Sequence, residues 1–171
     1  PVYKGVYERR DDLDTDMPNE SVAYRDRVIQ WYRDMGRAID YLEVREDVDA
    51  DKLAYFGVSW GGRMGVLMTA VEPRFDAAVF YVAGLKFQRA LPEADPFNHV
   101  TRLEIPVLML NGRYDMFFPL DTSQKPMYQL LGTPDEHKRH VVADGGHDVP
   151  RALLIRETLD WLDNYLGPVE R

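Results

Sequence analysis

The sequence predicts an α/β fold, a mostly parallel sheet with helices on both faces. Three observations carry that prediction. Nearly all-apolar runs recur at residues 53–56, 75–82, 106–110 and 140–143, the pattern of strands buried on both sides. Longer segments with apolar residues every three or four positions alternate with them. Each run is released by a turn signal, Gly57, Gly84, Asn111-Gly112 or Asp144-Gly145-Gly146, which is how a chain leaves a strand for a connecting loop.

In chain order, residues 2–7 read as a strand broken by Gly5, and residues 8–16 as a charged loop. Asp12, Asp14 and Asp16 have the spacing of a calcium loop. Met17 and Ala23, however, stand where that loop needs glycine and glutamate, so a solvated acidic loop is expected. Pro18 to Ser21 opens a long helix running to about Glu43, its apolar face carrying Val28, Ile29, Trp31, Tyr32, Met35, Ala38, Ile39 and Leu42. After a polar turn at 47–52 comes the strand at 53–56, then a helix to about Ala70 that Glu72-Pro73-Arg74 breaks. The strand at 75–82 leads into an irregular stretch, 87–103, with Pro92 and Pro96, expected to cover the substrate. The strand at 106–110, a helix over 121–131, the strand at 140–143 and a last helix over 149–166 complete the chain.

At 171 residues the whole chain is expected to be one domain burying roughly two-thirds of its unfolded surface. A net charge of −8 leaves no basic stripe to neutralise phosphates, so no nucleic-acid partner is expected. No apolar run approaches the about 20 residues a bilayer span needs, so no membrane partner is expected either. The absence of cysteine excludes disulfides and thiolate metal ligands and fits the cytoplasm. His99, His137, His140 and His147 are scattered without ligand spacing, so neither a metal nor another cofactor is expected.

In a parallel α/β sheet the loops leaving the strands' carboxyl ends gather on one edge, where ligands bind. Three of those loops carry complementary chemistry. Gly57-Val58-Ser59-Trp60-Gly61 turns strand into helix so sharply that flanking glycines are needed, and it projects the Ser59 hydroxyl over a helix N-terminus. Capping that helix is the simpler role for a serine, but capping does not require the glycines. A serine nucleophile needs a base titrating near neutrality, and that base needs a carboxylate on its other nitrogen. His147 in Asp144-Gly145-Gly146-His147 and Asp115 in Asn111-Gly112-Arg113-Tyr114-Asp115 supply them. Asp144 and Asp148 compete for the carboxylate role. Of the other histidines, His99 lies in the irregular stretch, His137 in a charged run, and His140 at the start of its strand, away from this edge.

The set GVSWGG, NGRYDMFFP and DGGHDVP resembles the alpha/beta-hydrolase superfamily, near its dienelactone-hydrolase and prolyl-oligopeptidase-like branches. The resemblance runs from about Tyr3 to the end of the chain. It implies a Ser59–His147–Asp115 triad, an acyl-enzyme on Ser59, the Trp60 backbone N–H as an oxyanion donor, and a small-molecule ester as substrate. Tyr114, Phe117 and Phe118, beside the implied catalytic residues in sequence, are candidates for the substrate pocket, although packing of their own loop accounts for the phenylalanines equally well. A prolyl-oligopeptidase-type serine peptidase is the alternative enzyme; a non-catalytic interaction module derived from a hydrolase is the alternative of another class.

The chain departs from the family pattern before the elbow. The His-Gly-Gly-type loop that supplies the second oxyanion donor is absent, and only residues 2–7 and one helix precede the elbow strand. The chain therefore reads as the carboxyl-terminal half to two-thirds of the usual fold, lacking the early strands. The second donor would come from the Tyr3 or Tyr7 region, from another chain, or not at all. A homo-oligomer covering the exposed sheet edge is the expected consequence.

Overall fold

Alternation along each strand sorts the core into two layers. The computed structural model describes residues 1–12 and 17–169. Its sheet has four parallel strands in the order β1-β2-β3-β4, with β1 at Ala54–Val58, β2 at Ala77–Tyr81, β3 at Val107–Gly112 and β4 at Lys138–Ala143. Tyr55, Ala78, Phe80, Val107 and Met109 point to one face, Val79, Leu108 and Leu110 to the other, following the two-residue period of a strand. Helices α1 (Val22–Glu43), α2 (Trp60–Val71) and α3 (Lys125–Leu130) cover the first face through Trp31, Met35, Ile39, Met64, Met68 and Met127. Helix α4 (Arg151–Leu166) covers the second with Trp161, Leu154 and Leu162. Both faces are thus helix-covered, as the apolar runs require.

Strand β1 is one of the sheet's two edges. Phe56 and Val58, on the α4 side of the sheet, are about half exposed, at 49% and 48%. A groove of about 510 Å³ runs along this strand between Met35, Ile39 and Leu42 of α1 and the chain's first residues, Pro1 and Tyr3.

Three local expectations are corrected. Residues 2–7 form no strand; they turn tightly, with Gly5 at φ 94° and a single 3-10 turn at Tyr7–Arg9. No strand pairs with them among the described residues, and α1 takes their backbone groups: Lys4 N–H donates to Asp34 (2.7 Å) and Trp31 Nε1–H to Lys4 O (2.8 Å). Residues 120–131 are not one α-helix. A wide π turn over Leu120–Gln124 precedes α3, where Pro126 lacks the N–H that regular winding would use. Residues 87–103 form three short 3-10 turns that bury Ala94, Val100 and Leu103 against the core below α2 rather than roofing a ligand site. Of the Asp12/Asp14/Asp16 loop, Asp14 and Asp16 lie outside the described residues.

Candidate active site

At the elbow the backbone is forced. A Cβ on Gly57 would stand 2.5 Å from Gly61 O and 2.6 Å from the Tyr55 ring, so β1 and α2 can approach this closely only through glycine. Tyr55 sits under the turn and donates its hydroxyl to Gly61 O at 2.7 Å. Ser59 takes φ 54°, ψ −110°, a conformation side-chain-bearing residues adopt only when their surroundings impose it. Its N–H is fixed to Tyr81 O of β2 at 2.8 Å. Although Ser59 stands at the N-cap of α2, its side chain caps nothing; the hydroxyl lies 2.8 Å from His147 Nε2.

His147 in turn holds its Nδ1 2.7 Å from Asp115 Oδ2. A carboxylate can only accept, so Nδ1 carries the proton and Nε2 is left to accept from Ser59. The other oxygen of Asp115 accepts from the backbone N–H groups of Phe117 (2.8 Å) and Phe118 (3.1 Å). The Asp115 side chain is fully buried while the imidazole is 28% exposed, an acceptor sealed behind a reachable ring. Asp144 pairs instead with Arg113 at 3.0 Å on the surface, and among the described residues the Asp148 carboxylate makes no hydrogen bond or ion pair with His147. Rings bracket the imidazole: Phe117 edge-on at 4.9 Å and Phe118 stacked at 6.0 Å.

A cavity of about 170 Å³ opens beside Ser59, walled by Trp60, Arg63, Lys86, Phe117, Phe118, Met17 and Pro18. Two of the three sequence candidates for a pocket therefore line it. Tyr114 does not; it is 67% exposed and faces a separate open cleft with Met116 and Leu120. The Trp60 N–H is the first of α2 and has no acceptor among the described residues, as helix geometry dictates. Its indole packs edge-on against Trp31 (4.8 Å) and Tyr3 (5.9 Å), while Tyr7 is 82% exposed.

Four cavity residues escaped the sequence reading: Met17, Pro18, Arg63 and Lys86. Arg63 stands one helical turn beyond Ser59, a spacing that could have found it. Lys86 follows β2, whose loop carried no recognised motif. One histidine was misread: His140 lies mid-strand in β4, not at its start, and its Nε2 is 3.1 Å from Asn111 Oδ1. It does not reach Ser59.

The comparisons agree with this architecture. A chain from Klebsiella pneumoniae, provisionally named a dienelactone hydrolase, superposes with a TM-score of 0.68 at 26% identity over 81% of this chain and 62% of its own. An acetyl xylan esterase from Paenibacillus sp. R4 shares the fold, with a TM-score of 0.67 at 19% identity over 82% of this chain and 54% of its own. In sequence, an uncharacterized Mycobacterium tuberculosis protein is 27% identical over 147 residues, 78% of this chain and 51% of that protein. A Salmonella typhimurium protein provisionally named a carboxymethylenebutenolidase is 31% identical over 104 residues, 60% of this chain and 38% of that protein. The chain thus spans about half the length, or less, of the curated relatives it matches. The dienelactone hydrolase family model matches residues 2–148, and with the fold and the elbow in agreement the chain belongs to that family.

Proposed function

We propose that the chain acts as a serine hydrolase on small-molecule carboxylic esters. The observation that carries this is the unbroken hydrogen-bond chain Ser59 Oγ–His147–Asp115 at 2.8 and 2.7 Å. Ser59 attacks the acyl carbon as His147 Nε2 takes its proton. Asp115, held by two backbone N–H groups, keeps the imidazole in the required tautomer and stabilises the imidazolium. The Trp60 N–H, at the positive end of α2, donates to the developing oxyanion. His147 returns the proton to the leaving alcohol, and then activates the water that resolves the acyl-enzyme. The family and the name of the Salmonella relative, which places its substrate among lactones, favour ester over peptide hydrolysis.

Fluorophosphonate labelling tests this reading. Intact protein should label, and Ser59→Ala should not. An unlabelled folded wild type would sink the enzyme reading, and labelled Ser59→Ala would sink the nucleophile. A p-nitrophenyl ester should turn over far faster than a dipeptide anilide; the reverse would favour a peptidase.

The uncovered β1 edge supports self-association, in which a second copy seats against Phe56 and Val58. Lacking one oxyanion donor costs about a hundred- to a thousandfold in turnover, so a donor supplied by that copy would make specific activity rise with protein concentration. Light scattering beside the assay checks both; a monomer at micromolar concentration with constant specific activity excludes the idea.

A further inference from the structure

The turn that carries both rings beside His147 is tied to a neighbouring loop at one charged point. The β2 loop and the β3 loop meet at Gly84, where a Cβ would stand 2.3 Å from Ser123 Oγ and 3.1 Å from the Phe118 ring. Ser123 Oγ–H donates to Leu85 O at 2.6 Å, and Leu85 N–H donates back to Ser123 O at 3.3 Å. The next residue is Lys86. Its ammonium donates to Phe117 O at 3.2 Å and lies 4.8 Å from the centre of the Phe118 ring, within the range in which a cation is attracted to an aromatic face.

We propose that Lys86 is a positioning residue for His147. By gripping the Phe117 carbonyl and the Phe118 ring together, it fixes the turn whose two rings bracket the imidazole and whose two N–H groups hold Asp115. On that side the imidazole packs against these two rings. Phe117 is 62% exposed, so burial does not hold it in place; its N–H bond to Asp115 and the lysine contact with its carbonyl do. Lys86 acts through the turn, and loosening it lets the imidazole rotate away from Ser59 without disturbing the sheet beneath.

The kinetic half of the test rests on the ester-hydrolase reading; the spectroscopic half does not. Lys86→Met keeps the length of the stem and removes both the donor and the charge. On a p-nitrophenyl ester it should lower kcat about 10- to 100-fold, the scale of a small misplacement of a catalytic group, with KM within about twofold. Lys86→Arg, which retains donor and cation, should restore most of the rate. Proton NMR follows the His147 Nδ1–H, carried downfield by its 2.7 Å bond to Asp115; in Lys86→Met that resonance should broaden or vanish through faster exchange, and in Lys86→Arg it should persist. Should Lys86→Met fail to fold by circular dichroism, Lys86→Leu, which also removes donor and charge, is read in the same way. Wild-type kcat with an intact resonance overturns the proposal, and so does an effect confined to KM, which would make Lys86 a substrate contact. If the wild type itself shows no turnover, the esterase reading falls while the resonance still decides the role of Lys86.

Discussion

Acidifying the protein should unfold it partly through His140, a residue outside the candidate site. Its ring lies in β4 against Tyr128, with Nε2–H donating to Asn111 Oδ1; the orientation of that amide is set by its own Nδ2–H, which donates to Ala83 O at 2.9 Å. Burial, with a smaller contribution from the Lys125 cation, pushes the imidazole down from 6.5 to about 4. The folded protein therefore stays neutral at this site while the unfolded chain takes up a proton below about 6.5. Stability is complete above that pH and is lost as pH falls through 4. Integrating the difference in proton uptake from pH 7.5 to pH 5 gives roughly 2 kcal/mol. Stopping at pH 5 stays above the carboxylates of Asp40 and Glu72, which hydrogen bonds from Arg74 hold below their usual range. Urea unfolding of wild type and His140→Gln at both pH values makes the measurement, since glutamine can still donate to Asn111 without titrating. Wild type should lose roughly 2 kcal/mol more than the variant over that span. Equal losses would refute the reasoning.

Other substitutions probe the site and its supports. Asp115→Asn should lower kcat by about a thousand- to ten-thousandfold at neutral pH, the usual scale when the acid of a Ser-His-Asp set is neutralised; ester kinetics read it, and a loss under tenfold would reassign the carboxylate. Gly57→Ala should cost about 1–3 kcal/mol or more, because the new methyl meets backbone at Gly61 rather than a movable side chain; thermal unfolding checks it. Arg63 is 3% exposed and its guanidinium meets only the Tyr24 hydroxyl, at 3.3 Å, among the described residues. A buried charge without an opposite charge is costly, so Arg63→Met should leave Tm unchanged or raise it by about 2–4 °C. A clear fall in Tm would reveal an anionic partner.

Periodicity alone made the layers legible. The apolar runs at 75–82 and 106–110 became central strands because their residues have buried surfaces on both faces, which is what an uninterrupted apolar run encodes. The elbow was legible for a related reason, since glycines flanking a serine between strand and helix mark a close approach. The N-terminal residues misled because Val2, Tyr3 and Val6 look like a strand, whereas a strand exists only if a partner offers a ladder, and here Trp31 and Asp34 of α1 supply the hydrogen bonds instead. Lys86 was invisible because its role depends on Gly84 letting two loops touch, a contact between residues 38 or so apart in the chain that no local pattern announces. His140 was misplaced by a strand boundary two residues off, within the ordinary uncertainty of such boundaries.

The arrangement also separates what the site costs from what it does. The strand ends are laced together beyond the sheet by bonds that involve no side chain of the proposed triad: Ser59 N–H to Tyr81 O, Val82 N–H to Leu110 O, and Tyr114 N–H to Gly145 O. These ties hold Ser59 at φ 54° whatever its side chain is. The strain belongs to the backbone and to any residue with a Cβ, on the order of 1–3 kcal/mol. Ser59→Ala removes the hydroxyl and keeps the strain, so it should abolish labelling with little change in stability. Ser59→Gly removes both. Glycine gains freedom in the unfolded chain, which offsets about 0.4–1 kcal/mol, yet relief of the strained dihedral should leave it about 1 kcal/mol more stable than Ser59→Ala. Urea unfolding of the two variants decides the matter without any substrate. If Ser59→Ala is the more stable of the two, the elbow is not strained and its geometry is held by the serine side chain after all.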